Sequence, residues 1–161
     1  TGVTNNGKES LYAVVSQRYN PAKGEETEAA DNIRIAVRYT DMDGKAVDPK
    51  SIRASTDFYA VVTVSNISGY EKYTNLALTH IVPAGWEITS ERDLTSVTYQ
   101  DIRDDRVLSY FDLSRGESKE IPVKLTATYK GRYYLPLVYC EAMYDNAVRA
   151  LKKGQWVEVV E

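Results

Sequence analysis

Alternation with a period of two runs through most of the chain. In NIRIAVRYT, Ile33, Ile35, Val37 and Tyr39 fall on one face, and Arg34, Ala36 and Arg38 on the other. That pattern belongs to a strand half buried against a core. DFYAVVTVSN repeats it, setting Phe58, Ala60, Val62 and Val64 against Tyr59, Val61 and Thr63, and KEIPVKLTATY puts Ile121, Val123, Leu125 and Ala127 together. Wound into a helix, the same residues would scatter around the axis instead of forming a stripe. The alternation commits the chain to sheets.

Turn signals divide these runs. Asp43-Gly44 is the strongest hairpin signal, and Pro83-Ala84-Gly85, Arg103-Asp104-Asp105, Gly116 and Gly131 separate later strands. Pro122 cannot donate to a ladder, so it points to an edge strand or a strand end. YYLPLVY, 133–139, reads as one buried strand, and QWVEVVE as the last, with Trp156 alternating against Val157. The polar, acidic stretch 19–32 reads as a mobile loop, and TSERDLTS, 89–96, allows one short helix. Eight or nine strands at spacings of roughly 8–15 residues imply an all-β antiparallel sandwich.

At 161 residues the chain fits a single domain, 1–161. A net charge of -3 supplies no basic footprint for nucleic acid and no polybasic patch for an anionic membrane. The longest apolar runs fall far short of the ~20 residues that cross a bilayer. TGVTNNGKES shows neither an initiator Met nor a signal peptide, so the chain is expected to be a fragment of a larger protein. A single cysteine excludes an internal disulfide.

The reactive residues do not assemble into a catalytic motif. His80, the only histidine, lies mid-strand and reads as a half-buried, hydrogen-bonded strand residue. Asp101, Asp104 and Asp105 cluster with Arg103 and Arg106, which would oppose a cation. A turn with local ion pairs fits them better than a calcium loop. Cys140 has no nearby His and no Cys-x-x-Cys partner, and reads as an inert buried thiol. No catalytic residue, metal site or cofactor is expected. Thirteen tyrosines leave a carbohydrate-binding or adhesin-type sandwich as a rival to any other binding role.

Three stretches carry more specific information: GYEKYTNLALTHIVPAGWEI, YQDIRDDRVLSYFDLSRGES, and CEAMYDNAVRA followed by GQWVEV. Occurring together in this order, they closely resemble the C-terminal macroglobulin-like domain of bacterial α2-macroglobulins, over at least 59–160. The eukaryotic receptor-binding domain is a more distant relative of that architecture.

The resemblance implies a parent that is a multidomain periplasmic protease inhibitor, with lipid-anchored members in the family. Cleavage of a bait region rearranges the molecule, and a Cys-Gln thioester in a separate helical domain acylates the attacking protease. The thioester motif, Cys-x-Glu-Gln, is absent here, because Cys140 is followed by Glu141-Ala142-Met143. The resemblance therefore implies a non-catalytic module whose partner is the thioester domain of the same polypeptide. It also assigns Met143 and Tyr144 to a lid over the thioester in the uncleaved protein. Glu141, Asp145 and Arg149 are candidates for supporting that lid, and target proteases would be met through the full-length inhibitor.

Overall fold

A computed structural model describes residues 4–10, 12–16, 21–89, 92 and 94–161. Within them the chain forms β1 (Ala29–Asp31), β2 (Ile33–Thr40), β3 (Ile52–Arg53), β4 (Thr56–Asn66), β5 (Tyr73–Ile81), β6 (Trp86–Ile88) and β7 (Tyr99–Ile102). It continues through β8 (Arg106–Leu113), β9 (Ser118–Ala127), β10 (Gly131–Leu135), β11 (Val138–Ala142), β12 (Asp145–Lys152) and β13 (Gln155–Val160). The all-β expectation holds, and the described residues contain no helix. The 89–96 helix cannot be checked in full, because 90, 91 and 93 lie outside the described residues.

Three sheets make up the sandwich. One layer is the four-stranded sheet β2-β4-β9-β6; against it lie a six-stranded sheet, β1-β12-β11-β5-β8-β7, and a three-stranded sheet, β10-β13-β3. The alternating faces read from the sequence are the inner faces. Ile33, Ile35, Val62, Val64 and Ile121 pack with Leu76, Leu78, Phe111, Leu113 and Cys140 between the four- and six-stranded sheets. Tyr39, Phe58, Trp86 and Leu125 pack with Ile52, Leu135, Val157 and Val159 of the three-stranded sheet. Phe58 and Trp86 meet edge to face at 5.0 Å, an arrangement worth ~1 kcal/mol beyond the burial of the rings.

Pro122 sits where the sequence reading put it. β6 pairs with β9 only over Leu125–Ala127, so β9 is a sheet edge at Pro122. The Lys124 carbonyl faces the β6 side, accepting from the Thr89 amide at 3.0 Å. By alternation Pro122 turns the same way, so its missing N–H removes no bond to β4.

The run 133–139 is not one strand. It breaks at Pro136-Leu137 into β10 and β11, which belong to different sheets. The partner strand breaks opposite, at Lys153-Gly154, between β12 and β13. The register carries straight through: Leu135 faces Gln155, and three steps further along each strand Val138 faces Lys152. β10 to β13 are thus one long hairpin, bent where Pro136 interrupts it. Gly154 permits the bend, since a Cβ there would meet the Tyr134 hydroxyl at 2.4 Å and the Leu135 carbonyl at 2.5 Å.

The 19–32 stretch also departs from expectation; Tyr19 and Asn20 lie outside the described residues, but the remainder is docked. β1 pairs with β12, Glu28 bridges to Lys152 at 2.6 Å, and Tyr134 donates its hydroxyl hydrogen to Glu26. The acidic composition that suggested mobility is matched by partners more than 100 residues away.

Candidate functional site

Met143 and Tyr144 form the tip of the bent hairpin, between β11 and β12. Their side chains are 52% and 85% exposed, although each is large and apolar enough to favour burial. Their backbone is nevertheless held. The Met143 amide donates to the Asn75 carbonyl at 3.0 Å. Asn75 sits at φ 54, where β5 is irregular, and its own amide donates to Asp112 Oδ1 at 3.0 Å. Lys72 pairs with the same carboxylate at 3.2 Å. The Asn75 amide, aided by Lys72, holds the Asp112 carboxyl below its usual pKa range although burial opposes it.

A bulge shapes the other side of the tip. Glu141 faces Arg149, but Ala142 faces Asp145, so 146–148 stand out from the ladder. The Asp145 carboxylate accepts from the Ala147 amide at 2.9 Å, closing a local turn. Asn32, at φ 65, donates its side-chain amide to the Ala147 carbonyl at 3.0 Å. Arg149 reaches Asp31 at 2.9 Å, and Glu141 accepts from the Tyr139 hydroxyl at 2.5 Å. Burial, with Glu141 nearby, pushes that phenol up to about 12.

Beside the tip lies a shallow groove of about 200 Å³, lined by Glu71, Lys72, Tyr73, Thr74, Tyr144 and Asp145 among others. Tyr70, 87% exposed, lines the adjoining depression with Glu71, Tyr73 and Asp145. Its loop is tied down by buried Asn66, whose side chain donates to the Glu71 carbonyl at 2.7 Å and accepts from the Ser68 amide at 3.1 Å. Tyr70, Asn66, Asn75 and Asp112 were not singled out from sequence. An Asn within an alternating run is the usual mark of an irregular strand, and was the available signal for Asn75.

The arrangement is two bulky, exposed side chains on a rigidly anchored turn, with a third nearby. It is suited to contact and offers no group poised for bond chemistry.

The model of the bacterial alpha-2-macroglobulin MG10 domain family matches residues 33–146. The chain belongs to that family. Alpha-2-macroglobulin of Pasteurella multocida is 26% identical over 158 residues, covering 94% of this chain and 8% of its own length. A point mutant of Salmonella alpha-2-macroglobulin superposes with a TM-score of 0.79 at 18% identity, over 89% of this chain and 10% of that one. Native Escherichia coli alpha-2-macroglobulin, spanning domain MG7 to the C-terminus, gives 0.78 at 18% identity, over 88% of this chain and 25% of that one. The chain thus spans about a tenth or less of the full-length relatives.

The MG10 family match contains the hairpin tip and stops before Arg149. The other reactive residues of this MG10 domain are structural in their surroundings. His80 departs from expectation: it is 1% exposed, and neither ring nitrogen has a hydrogen-bond partner among the described residues. It lies opposite Val138 and Val107, one from each core cluster, and burial lowers its pKa to about 4. Cys140 is fully buried, and burial pushes its thiol up to about 12, far from a reactive thiolate. The acidic cluster pairs locally, Arg103 to Asp101 at 3.0 Å and Arg106 to Asp105 at 2.6 Å. Among the described residues no group of three or more His, Cys, Asp or Glu side chains is placed to hold a metal. Among the described residues the exposed tyrosines Tyr12, Tyr70, Tyr99, Tyr129 and Tyr144 fall on separate stretches of the chain, with Tyr70 and Tyr144 beside the same hairpin tip.

Proposed function

We propose that this chain is the C-terminal macroglobulin-like module of a bacterial α2-macroglobulin protease inhibitor, a non-catalytic domain that packs on the thioester domain of the same polypeptide. The hairpin tip covers the thioester until bait cleavage. The observation that carries the reading is the exposure of Met143 and Tyr144 on a turn whose backbone is fixed by Asn75. Two adjacent large side chains presented outward on an anchored turn form a surface ready for contact, which is what a lid requires. The family also fits: a Salmonella relative has been solved after reaction with methylamine and an E. coli relative after activation by trypsin.

The chemistry suits the residues. A thioester is an activated acyl group, and excluding water slows its hydrolysis. Methionine conforms to an irregular surface, and tyrosine lays a flat cover over it while its hydroxyl stays at the wet rim. A small contact of this kind releases readily, so bait cleavage can shift the balance between covered and uncovered states. From the family resemblance alone, we also propose a periplasmic parent anchored to the inner membrane as a lipoprotein.

The test is methylamine incorporation into the uncleaved full-length parent. Replacing Met143→Ala together with Tyr144→Ala should accelerate incorporation about tenfold or more, and an unchanged rate would overturn the shielding role.

A further inference from the structure

The outer face of the three-stranded sheet carries a second, unrelated feature. Leu135, Val157 and Val159 face the core, so alternation turns Arg132 and Tyr134 of β10, and Trp156 and Glu158 of β13, outward. Arg132 lies opposite Glu158 in the register, yet its guanidinium stacks on the neighbouring Trp156, 4.9 Å from the ring centroid. Trp156 meets Tyr134 edge-on at 5.5 Å, and Lys23 lies 5.7 Å from the centre of the Tyr134 ring. The platform is braced from behind, because the Tyr134 hydroxyl accepts from the Gly24 amide at 2.8 Å and packs against Gly154.

Beside it opens a cleft of about 600 Å³, lined by Lys50, Arg132, Lys153, Trp156 and Glu158 among others. Three lining cations thus face one lining carboxylate, in a chain whose net charge is -3, with Glu26 and Glu28 within electrostatic reach of Lys153 but not of Lys50 or Arg132. None of Lys23, Lys50, Arg132 or Lys153 takes part in a salt bridge among the described residues. A guanidinium stacked on an indole keeps its in-plane N–H donors free, and those donors match a carboxylate in a two-point fork.

We propose that this cleft docks an acidic segment of polypeptide, its carboxylates pairing with Arg132, Lys50 and Lys153 and its chain lying against Trp156. Charge complementarity and shape favour that occupant. The volume falls within the range of ligand sites, about 300–1,000 Å³, and its open, groove-like form suits an extended chain. Glu158 can accept the backbone N–H donors that a peptide brings beside its carboxylates and that a phosphate ion lacks. The surface is separate from the hairpin tip and stands whether or not the tip is a lid.

Trp156 reports on the site directly, since it is 43% exposed while Trp86, the other tryptophan, is 3% exposed in the core. Titration of the chain with a hexaglutamate peptide should change Trp156 fluorescence saturably and weaken as salt is added. Lys153→Glu, which leaves the Arg132–Trp156–Tyr134 contacts in place, should raise the midpoint roughly tenfold, as should Arg132→Ala. Inorganic phosphate and phosphatidylglycerol vesicles serve as competing probes. A missing response to hexaglutamate, a midpoint unmoved by both substitutions, or a stronger response to phosphate or vesicles would overturn the proposal.

Discussion

The Met143 amide hydrogen bonds to the Asn75 carbonyl at 3.0 Å, so the tip of the C-terminal hairpin is fastened to the irregular point of a neighbouring strand. The fastening depends on the left-handed conformation of Asn75, at φ 54. Asn75→Ala should destabilise the fold by about 1 kcal/mol and Asn75→Gly by less, because only the first forces a Cβ without Asn's local hydrogen bonding into that region. Urea unfolding measures the difference. Hydrogen exchange at the Met143 amide should accelerate more than at core amides of β4.

Tyr144 and Met143 themselves should contribute little to the fold. Both are exposed, so Met143→Ala and Tyr144→Ala should each leave the stability of the isolated chain within about 0.5 kcal/mol. Chemical denaturation checks this, and it separates a functional loss in the parent from a folding defect.

Gly154→Ala should be costly. The new Cβ would meet backbone as well as the Tyr134 ring, and crowding of this kind costs about 1–3 kcal/mol. The urea midpoint should fall, with hydrogen exchange speeding up first in β10 and β13 as the bend is disturbed.

His80 gives the domain a predictable acid sensitivity. Its pKa is lowered from 6.5 in the open chain to about 4 in the fold by burial, so the unfolded state binds the proton first as pH falls. The full contribution to stability is present above pH 6.5. It is lost progressively between 6.5 and about 4, by an amount on the order of 3 kcal/mol. His80→Leu should flatten that part of the stability profile while leaving stability at pH 7 equal or higher, since it also removes two unpartnered ring nitrogens. Urea midpoints measured from pH 7 down to 4.5 decide the matter.

Much of the sandwich was legible because β2, β4 and β9 each bury one alternating face, and a period of two survives any sequence context. The long hairpin was not. Its bend at Pro136 and its bulge at 146–148 both break the alternation, and Asp145-Asn146 imitates the end of a strand. β1 was hidden for another reason: its acidic neighbourhood is held by an ion pair from Lys152 to Glu28 and a hydrogen bond from Tyr134 to Glu26, contacts that only the folded topology creates. At the tip, the family resemblance pointed to Met143 and Tyr144, whereas Asn75, Asp112 and Tyr70 became visible only through the geometry around them. The buried, unpartnered state of His80 was equally illegible, since its strand neighbours do not reveal that it sits between two clusters of the core.

The most direct test of the lid uses the chain's own two methionines, Met42 and Met143, which are 49% and 52% exposed. Peroxide should oxidise both at similar rates in the isolated chain, since oxidation follows exposure. In the uncleaved full-length parent, peptide mapping should show Met143 protected at least about tenfold relative to Met42, with the protection lost after protease cleavage. Equal oxidation of the two residues in the uncleaved parent would contradict the account.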